Sequence, residues 1–195
     1  MKVTIPYDIL ESVFTKYKIN TPLRKAHFMA NCHNETGGFK VFEENLNYST
    51  NLLISLFSRK RISLIDCEKY GRNNRNSANK EMIANILYGG QWGKLNLGNT
   101  QPNDGYYFRG RGAIQITGRR NYTSYFNSIK EPLNPDKLLE LKYALDSAGW
   151  FWQMAKVNEL ADKNNIAAVR KRVNGGSIGL DEVKELFNKY YEYYK

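Results

Sequence analysis

Three glycine pairs divide this chain. Gly37-Gly38, Gly89-Gly90 and Gly175-Gly176 each close a stretch in which apolar residues recur at helical spacing. The pattern predicts a mostly helical protein with polar loops. Ile5, Ile9, Leu10, Val13, Phe14 and Tyr17 form the apolar stripe of a first helix. Thr21-Pro22 supplies an N-cap and a proline at the first helical position, opening a second helix through LRKAHFMANCHNET. Ser49 or Thr50 can cap a third, NLLISLF, and Lys80 to Tyr88 reads as another. The run DKLLELKYALDSAGWFWQM is the best core helix candidate, with Leu138, Leu141, Leu145 and Trp152 on one stripe. IAAVRKRV and LDEVKELFNKYYEYYK complete the helices. Residues 91–112 read as a long ordered loop with at most a short hairpin. AIQIT alternates like a small strand, which would put Gln115 and Thr117 on one face. With no repeat, low-complexity segment or linker, residues 1–195 read as a single domain with no second domain appended.

Composition removes several classes. A hydrophobic fraction of 42%, with 14 Tyr, 9 Phe and 3 Trp, supports a real core and excludes a disordered chain. No apolar run reaches the roughly 18 residues of a membrane span. MKVTIPYDILESVFTKYK has no continuous apolar segment, so no signal peptide is expected, and the chain is expected in the cytoplasm unless another route exports it. Cys32 and Cys67 match no metal spacing and read as buried free thiols; His27 and His33 lack the spacing of a metal-binding helix face. No metal or cofactor is expected. The net charge of +10 points to an acidic partner, whether nucleic acid, anionic lipid or bacterial wall polymer.

Against that positive balance, HNETGGFKVFEENLNYS concentrates Glu35, Glu43 and Glu44 around a glycine turn. Three glutamates beside a turn are also what an ordinary solvated surface carries. Glu35, however, falls at the carbonyl end of the second helix, where the helix dipole disfavours a negative charge. Phe39 and Phe42 would add desolvation, and both effects suit a group that must hold a proton near neutral pH. Glu44 follows past the turn in a more polar setting. Two carboxyls in divergent surroundings are the minimal equipment for glycoside hydrolysis.

FRGRGAIQITGRRNY is the second constellation. It is neither a P-loop nor a complete dinucleotide-binding motif. Amides and a hydroxyl at Gln115, Thr117 and Asn121 suit sugar hydroxyls, N-acetyl groups or a positioned water. The same arginines with interleaved aromatics also read as a nucleic-acid segment. Asn174, taken alone, reads as a helix C-terminal turn, and the terminal tyrosines read as core packing.

In one order, the chain carries INTPLRKAHFMANCHNETGGF, EENLNYS, YFRGRGAIQITGRRNY, YALDSAGWFWQ and RVNGGSIGL. Over residues 19–181 this set resembles the catalytic domain of glycoside hydrolase family 19, most closely its phage endolysin branch. The resemblance implies a mainly α, lysozyme-like, two-lobed helical domain with a cleft and at most a small β element. It implies hydrolysis of β-1,4 bonds next to N-acetylated sugars with inversion, without metal or cofactor. By motif position Glu35 is the general acid, Glu44 the general base, and Thr117 helps hold the attacking water. Gln115, Asn121 and Asn174 fall at sugar-binding positions, and Tyr48 of NLNYS is counted with them. Glu43 is the rival for the base; Glu44 is preferred because it is the acid fixed to NLNYS. Inversion calls for carboxyls about 6.5–9.5 Å apart.

Three departures stand out. Asn34 separates His33 from the acid, where many relatives have histidine directly before it. The loop NLGNTQPNDGYYF has its own length and composition. Ser177 and Ile178 follow the NGG segment, where plant chitinases often carry another acid. The resulting expectation is an endolysin, a muramidase acting on peptidoglycan during host lysis. It would act as a monomer drawn to anionic wall by its charge, without nucleic acid. The alternatives are a chitinase or a non-catalytic glycan- or nucleic-acid-binding protein.

Overall fold

The computed structural model describes residues 5–195. The protein is mainly α. In chain order the helices are α1 (Tyr7–Lys16), α2 (Pro22–Glu35), α3 (Thr50–Leu56), α4 (Leu64–Tyr70), α5 (Lys80–Tyr88) and α6 (Gly90–Leu97). Then come α7 (Asp104–Tyr107), α8 (Arg119–Ser128), a 3-10 helix (Pro135–Leu139), α9 (Leu141–Met154), α10 (Val157–Asp162), α11 (Ile166–Asn174) and α12 (Leu180–Tyr194). An isolated parallel bridge joins Ser49 to Arg72. None of these helices is long and apolar enough to cross a membrane.

Local chemistry sets many of the boundaries. Thr21, Ser49, Ser63, Asn79 and Asn165 each accept a hydrogen bond from a first-turn N–H with the side chain, satisfying donors that a helix start leaves open. Gly175 ends α11 at φ 81°, a left-handed conformation that costs glycine little.

The chain forms two compact units. The first comprises the described residues up to Phe42, with Arg111–Gln115 and Asp136–Lys195. Here α2 lies along α12, where Ala26 and Ala30 meet Val183 and Phe187. The small alanines let the two helices approach closely. Trp152 of α9 is fully buried; its ring meets Phe28 edge-on, and its Nε1 donates to Asn158 Oδ1 at 2.9 Å. Gly149 is required by space, because a Cβ there would lie 2.2 Å from the Tyr17 ring. The second unit comprises Glu43–Gly110 and Ile116–Pro135. Its core gathers Leu46, Leu53, Ile62, Cys67, Ile83, Ala84 and Leu87. Both cysteines are buried and free, as expected.

Several expectations are corrected. Residues 91–112 hold most of α6 and all of α7, not a loop with a hairpin; glycine and asparagine there mask two short helices. AIQIT is a turn rather than a strand. Gln115 has φ 58° and its N–H bonds back to Gly112 O, while Ala113 N–H reaches Ala144 O. Leu138, Leu145 and Trp152 are fully buried, but Leu138 lies in the 3-10 helix and Leu141 is only half-buried.

The buried His27 ring lies 4.3 Å, between centroids, from Phe187. Its Nε2 meets Asn164 Oδ1 at 3.2 Å, and among the described residues Nδ1 has no partner. Burial pushes His27 down from 6.5 to about 4, and the Asn164 bond opposes only part of this. Between those values the unfolded chain takes up a proton that the folded chain refuses. Stability is therefore whole above the window and falls as pH drops through it, by about 3 kcal/mol at most. Urea unfolding at pH 7 and about pH 4.5 should show this loss, and His27→Gln should remove most of it. An unchanged pH dependence in the variant would refute the assignment.

Candidate active site

Glu35 is the last residue of α2, where the chain turns into Gly37-Gly38. Its Oε1 accepts from Arg170 Nη1 at 2.5 Å and from Asn174 Nδ2 at 3.2 Å. Both partners come from α11, one helical turn apart on the same face. The Arg170 side chain is only 2% exposed, and its Nε donates to Ile178 O at 2.8 Å. Among the described residues no hydrogen bond reaches Glu35 Oε2. The expected apolar surroundings are thus only partly right. Phe39 packs edge-on against His33, and what lies against Oε1 is a guanidinium and an amide.

Glu44, expected in a more polar setting, is instead desolvated by burial. Its Oε2 accepts from the Tyr88 hydroxyl at 2.6 Å and its Oε1 from Gly110 N–H at 2.5 Å. The Glu44 N–H returns a bond to Gly110 O at 2.9 Å, so residue pairs with residue through side chain and backbone. Burial pushes the Glu44 carboxyl above the ordinary carboxylate range; the Tyr88 and Gly110 bonds and Arg109 pull the other way, and Glu43 adds a small push upward. Burial and the Glu44 charge keep the Tyr88 phenol protonated, and so a donor.

Neighbouring Glu43 has another partner. Arg109 places Nε at 2.7 Å and Nη2 at 2.5 Å from Glu43 Oε1, and its guanidinium stacks over Tyr106. The two acids therefore grip consecutive residues of the RGRG segment, Glu43 through the Arg109 side chain and Glu44 through the Gly110 backbone.

Titration followed by carboxyl NMR is expected to place Glu44 above the free value of about 4.3. Tyr88→Phe removes a bond that favours the charged form, so the Glu44 midpoint should move higher still. A midpoint that stays put or falls in the variant would contradict this geometry.

The remaining candidates are placed as follows. Gln115 is half-buried in its turn, with Nε2 donating to Gly112 O at 3.2 Å. Asn121 is exposed on α8, and its Nδ2 donates to the carbonyl of half-buried Thr117 at 2.9 Å. Half-buried Tyr48 packs edge-on against Phe57, and burial together with the Glu44 charge pushes its hydroxyl up. Asn174, which alone read as a plain turn, bonds Glu35. Arg170 and Tyr88 were not singled out from the sequence, and Arg109 stood out only as part of the basic RGRG segment. For Arg170 the available signal was its position one turn before Asn174.

The arginines that suggested nucleic acid are engaged inside the fold. Arg109 holds Glu43, Arg111 is buried against Asp136, Arg119 forks onto Asp104, and Arg120 donates to Leu95 O.

No protein-family model matches the sequence. A protein of Haemophilus influenzae described as a glycosyl hydrolase family 19 domain-containing protein is 34% identical over 182 residues, covering 93% of this chain and 85% of that protein. The chain belongs to glycoside hydrolase family 19. Family 19 membership makes it a glycoside hydrolase of the chitinase and lysozyme kind. The two carboxyls with unlike surroundings are therefore the first place to look for family 19 chemistry in this protein.

Proposed function

We propose that this family 19 protein is a phage endolysin, an inverting muramidase that cuts the β-1,4 bonds of peptidoglycan and lyses the host. The observation that carries the reading is the contrast between its carboxyls. One is held on a single oxygen by Arg170 and Asn174; the other is buried and gripped on both oxygens by Tyr88 and Gly110.

In this mechanism the Glu35 carboxyl gives a proton to the leaving glycosidic oxygen as the bond to the anomeric carbon breaks. Ionised Glu44 takes a proton from a water, whose oxygen bonds the anomeric carbon from the opposite face. The product carries an inverted anomeric hydroxyl. Each Glu44 oxygen accepts one bond inside the protein and keeps a second acceptor site for that water. Thr117 helps hold the water, while Gln115, Asn121, Asn174 and Tyr48 bind sugar.

Two features favour peptidoglycan over chitin. The net charge is +10, suited to an anionic wall, and Ser177-Ile178 stand where plant chitinases often carry an acid. The enzyme would wait in the host cytoplasm and meet the wall as lysis begins.

Digestion of purified peptidoglycan, borohydride reduction and mass spectrometry of the reduced ends test this, with chitin oligomers run beside it. A reduced muramic acid end is expected. A reduced glucosamine end would reassign the bond, and cleavage of chitin alone would make the enzyme a chitinase.

A further inference from the structure

The second unit contains a cavity of about 950 Å³ whose lining includes none of the candidate catalytic residues. Arg72, Asn74, Arg75 and Asn51 reach it, with Lys69 and Ile65 from α4. Lys69 lies over the Tyr70 ring, whereas the two arginines are distinguished by what they lack. Elsewhere, carboxylates hold Arg24, Arg109, Arg111, Arg119 and Arg170. Carbonyl oxygens hold Arg59, Arg120 and Arg172, and Arg61 lies over the Trp92 ring. Among the described residues, only Arg72 and Arg75 of all the arginines have no side-chain partner. Both line this one cavity.

The loop that presents them is held firmly. Asn73 is its hub. The Asn73 amide donates to Glu68 O at 2.9 Å and Gly71 O at 3.2 Å, and its Oδ1 accepts from the backbone of Arg75 and Asn76. Asn76 Nδ2 adds a 2.7 Å bond to Gly71 O. Arg72 N–H donates to Tyr48 O and Arg72 O accepts from Thr50 N–H, fixing the loop to the start of α3. At Gly71 the backbone approach is so close that a Cβ would lie 2.5 Å from Cys67 O. A tied backbone that holds two exposed, unengaged guanidinium groups at one cavity offers an anion site in which folding has already met the backbone part of the ordering cost, while the two arginine side chains are ordered on binding.

We propose that this cavity is a second substrate site that binds the peptidoglycan strand, its arginines taking free carboxylates of the peptide stems and its amides the sugars that carry them. The identity of that ligand rests on the peptidoglycan reading above. Arginine forks match carboxylates in geometry as well as charge. The Asn51 and Asn74 amides suit hydroxyl and acetamido groups, and Ile65, 76% exposed, offers an apolar surface to a sugar face. Glu68 lines the same cavity and sets its one negative charge against Lys69, Arg72 and Arg75. Such a site would hold the enzyme on an insoluble strand between cuts. It discriminates against neutral chitin, which has no carboxylate.

The test is cosedimentation with purified sacculi in a Glu35→Gln background, so that the probe is not digested. Arg72→Gln with Arg75→Gln is compared with Lys60→Gln with Lys163→Gln, which removes equal charge at exposed positions outside the cavity. The arginine pair is expected to weaken binding about tenfold, as loss of charged hydrogen bonds implies. The lysine pair should weaken it far less. With Glu35 intact, the arginine pair should leave hydrolysis of a short soluble oligosaccharide unchanged. Equal weakening by both pairs, no weakening, or chitohexaose binding that depends equally on the arginines would overturn the proposal. Failure of the wild type to release muramic acid ends would instead sink the muramidase reading, so the two failures are separable.

Discussion

Glu35→Gln is expected to lower polysaccharide hydrolysis about 10²–10⁴-fold while leaving substrate binding in place. The amide keeps the shape of the carboxyl and an oxygen that can still accept from Arg170 and Asn174, but it has no acidic proton to give. Alanine would be a worse probe. Both variants remove the negative charge beside Arg170, whose side chain is 2% exposed, but alanine also removes the acceptor oxygen and leaves a buried donor unpaired, a further cost of about 2 kcal/mol. Reducing-end release and cosedimentation with sacculi measure the two quantities separately. Activity within tenfold of wild type in Glu35→Gln would remove Glu35 as the acid.

Glu44→Gln should cost a similar factor, and Glu43→Gln much less. The comparison decides between neighbouring acids by what each one holds. Glu43 is the counter-ion of Arg109, so its loss loosens a side chain. Glu44 accepts from Tyr88 and Gly110, one donor on each oxygen. Glutamine there sets an NH₂ against one of these donors, so about 1–2 kcal/mol of stability should go with the activity. The pH profile gives a second readout. A base must be ionised, and burial raises Glu44, so kcat/KM should fall on the acid side at higher pH than an ordinary carboxylate would give. An acid limb unchanged by Glu44→Gln, or a larger activity loss in Glu43→Gln, would transfer the role to Glu43.

The helices that were readable share strong local punctuation. α2 has Thr21 and Pro22 before it and a glycine pair after it; α11 ends at Asn174-Gly175; α12 follows as one apolar-striped run. The missed helices are short or disguised. α6 begins at a glycine, α7 is a single turn, and α8 carries its buried Tyr122, Tyr125 and Phe126 among polar residues. AIQIT misled because alternation over five residues does not separate a strand from a turn. The left-handed backbone of Gln115 and its bond back to Gly112 O show the turn, and the bond from Ala113 N–H to Ala144 O, distant in sequence, holds it in place.

Local order along the chain was enough to indicate the mainly α class, the caps, the buried free thiols and the motif set that names family 19. Those properties depend on neighbours in sequence, or on motifs in fixed order. The partners of the acids were decided by tertiary structure. Arg170 meets Glu35 across 135 positions of sequence, Tyr88 meets Glu44 across 44, and Arg109 meets Glu43 across 66. A carboxyl responds to burial and to charges a few ångströms away, and no local pattern encodes which distant residue folding will bring there. The same reason separates Arg72 and Arg75 from the other arginines. In sequence they are all cations; only folding gives the others their partners.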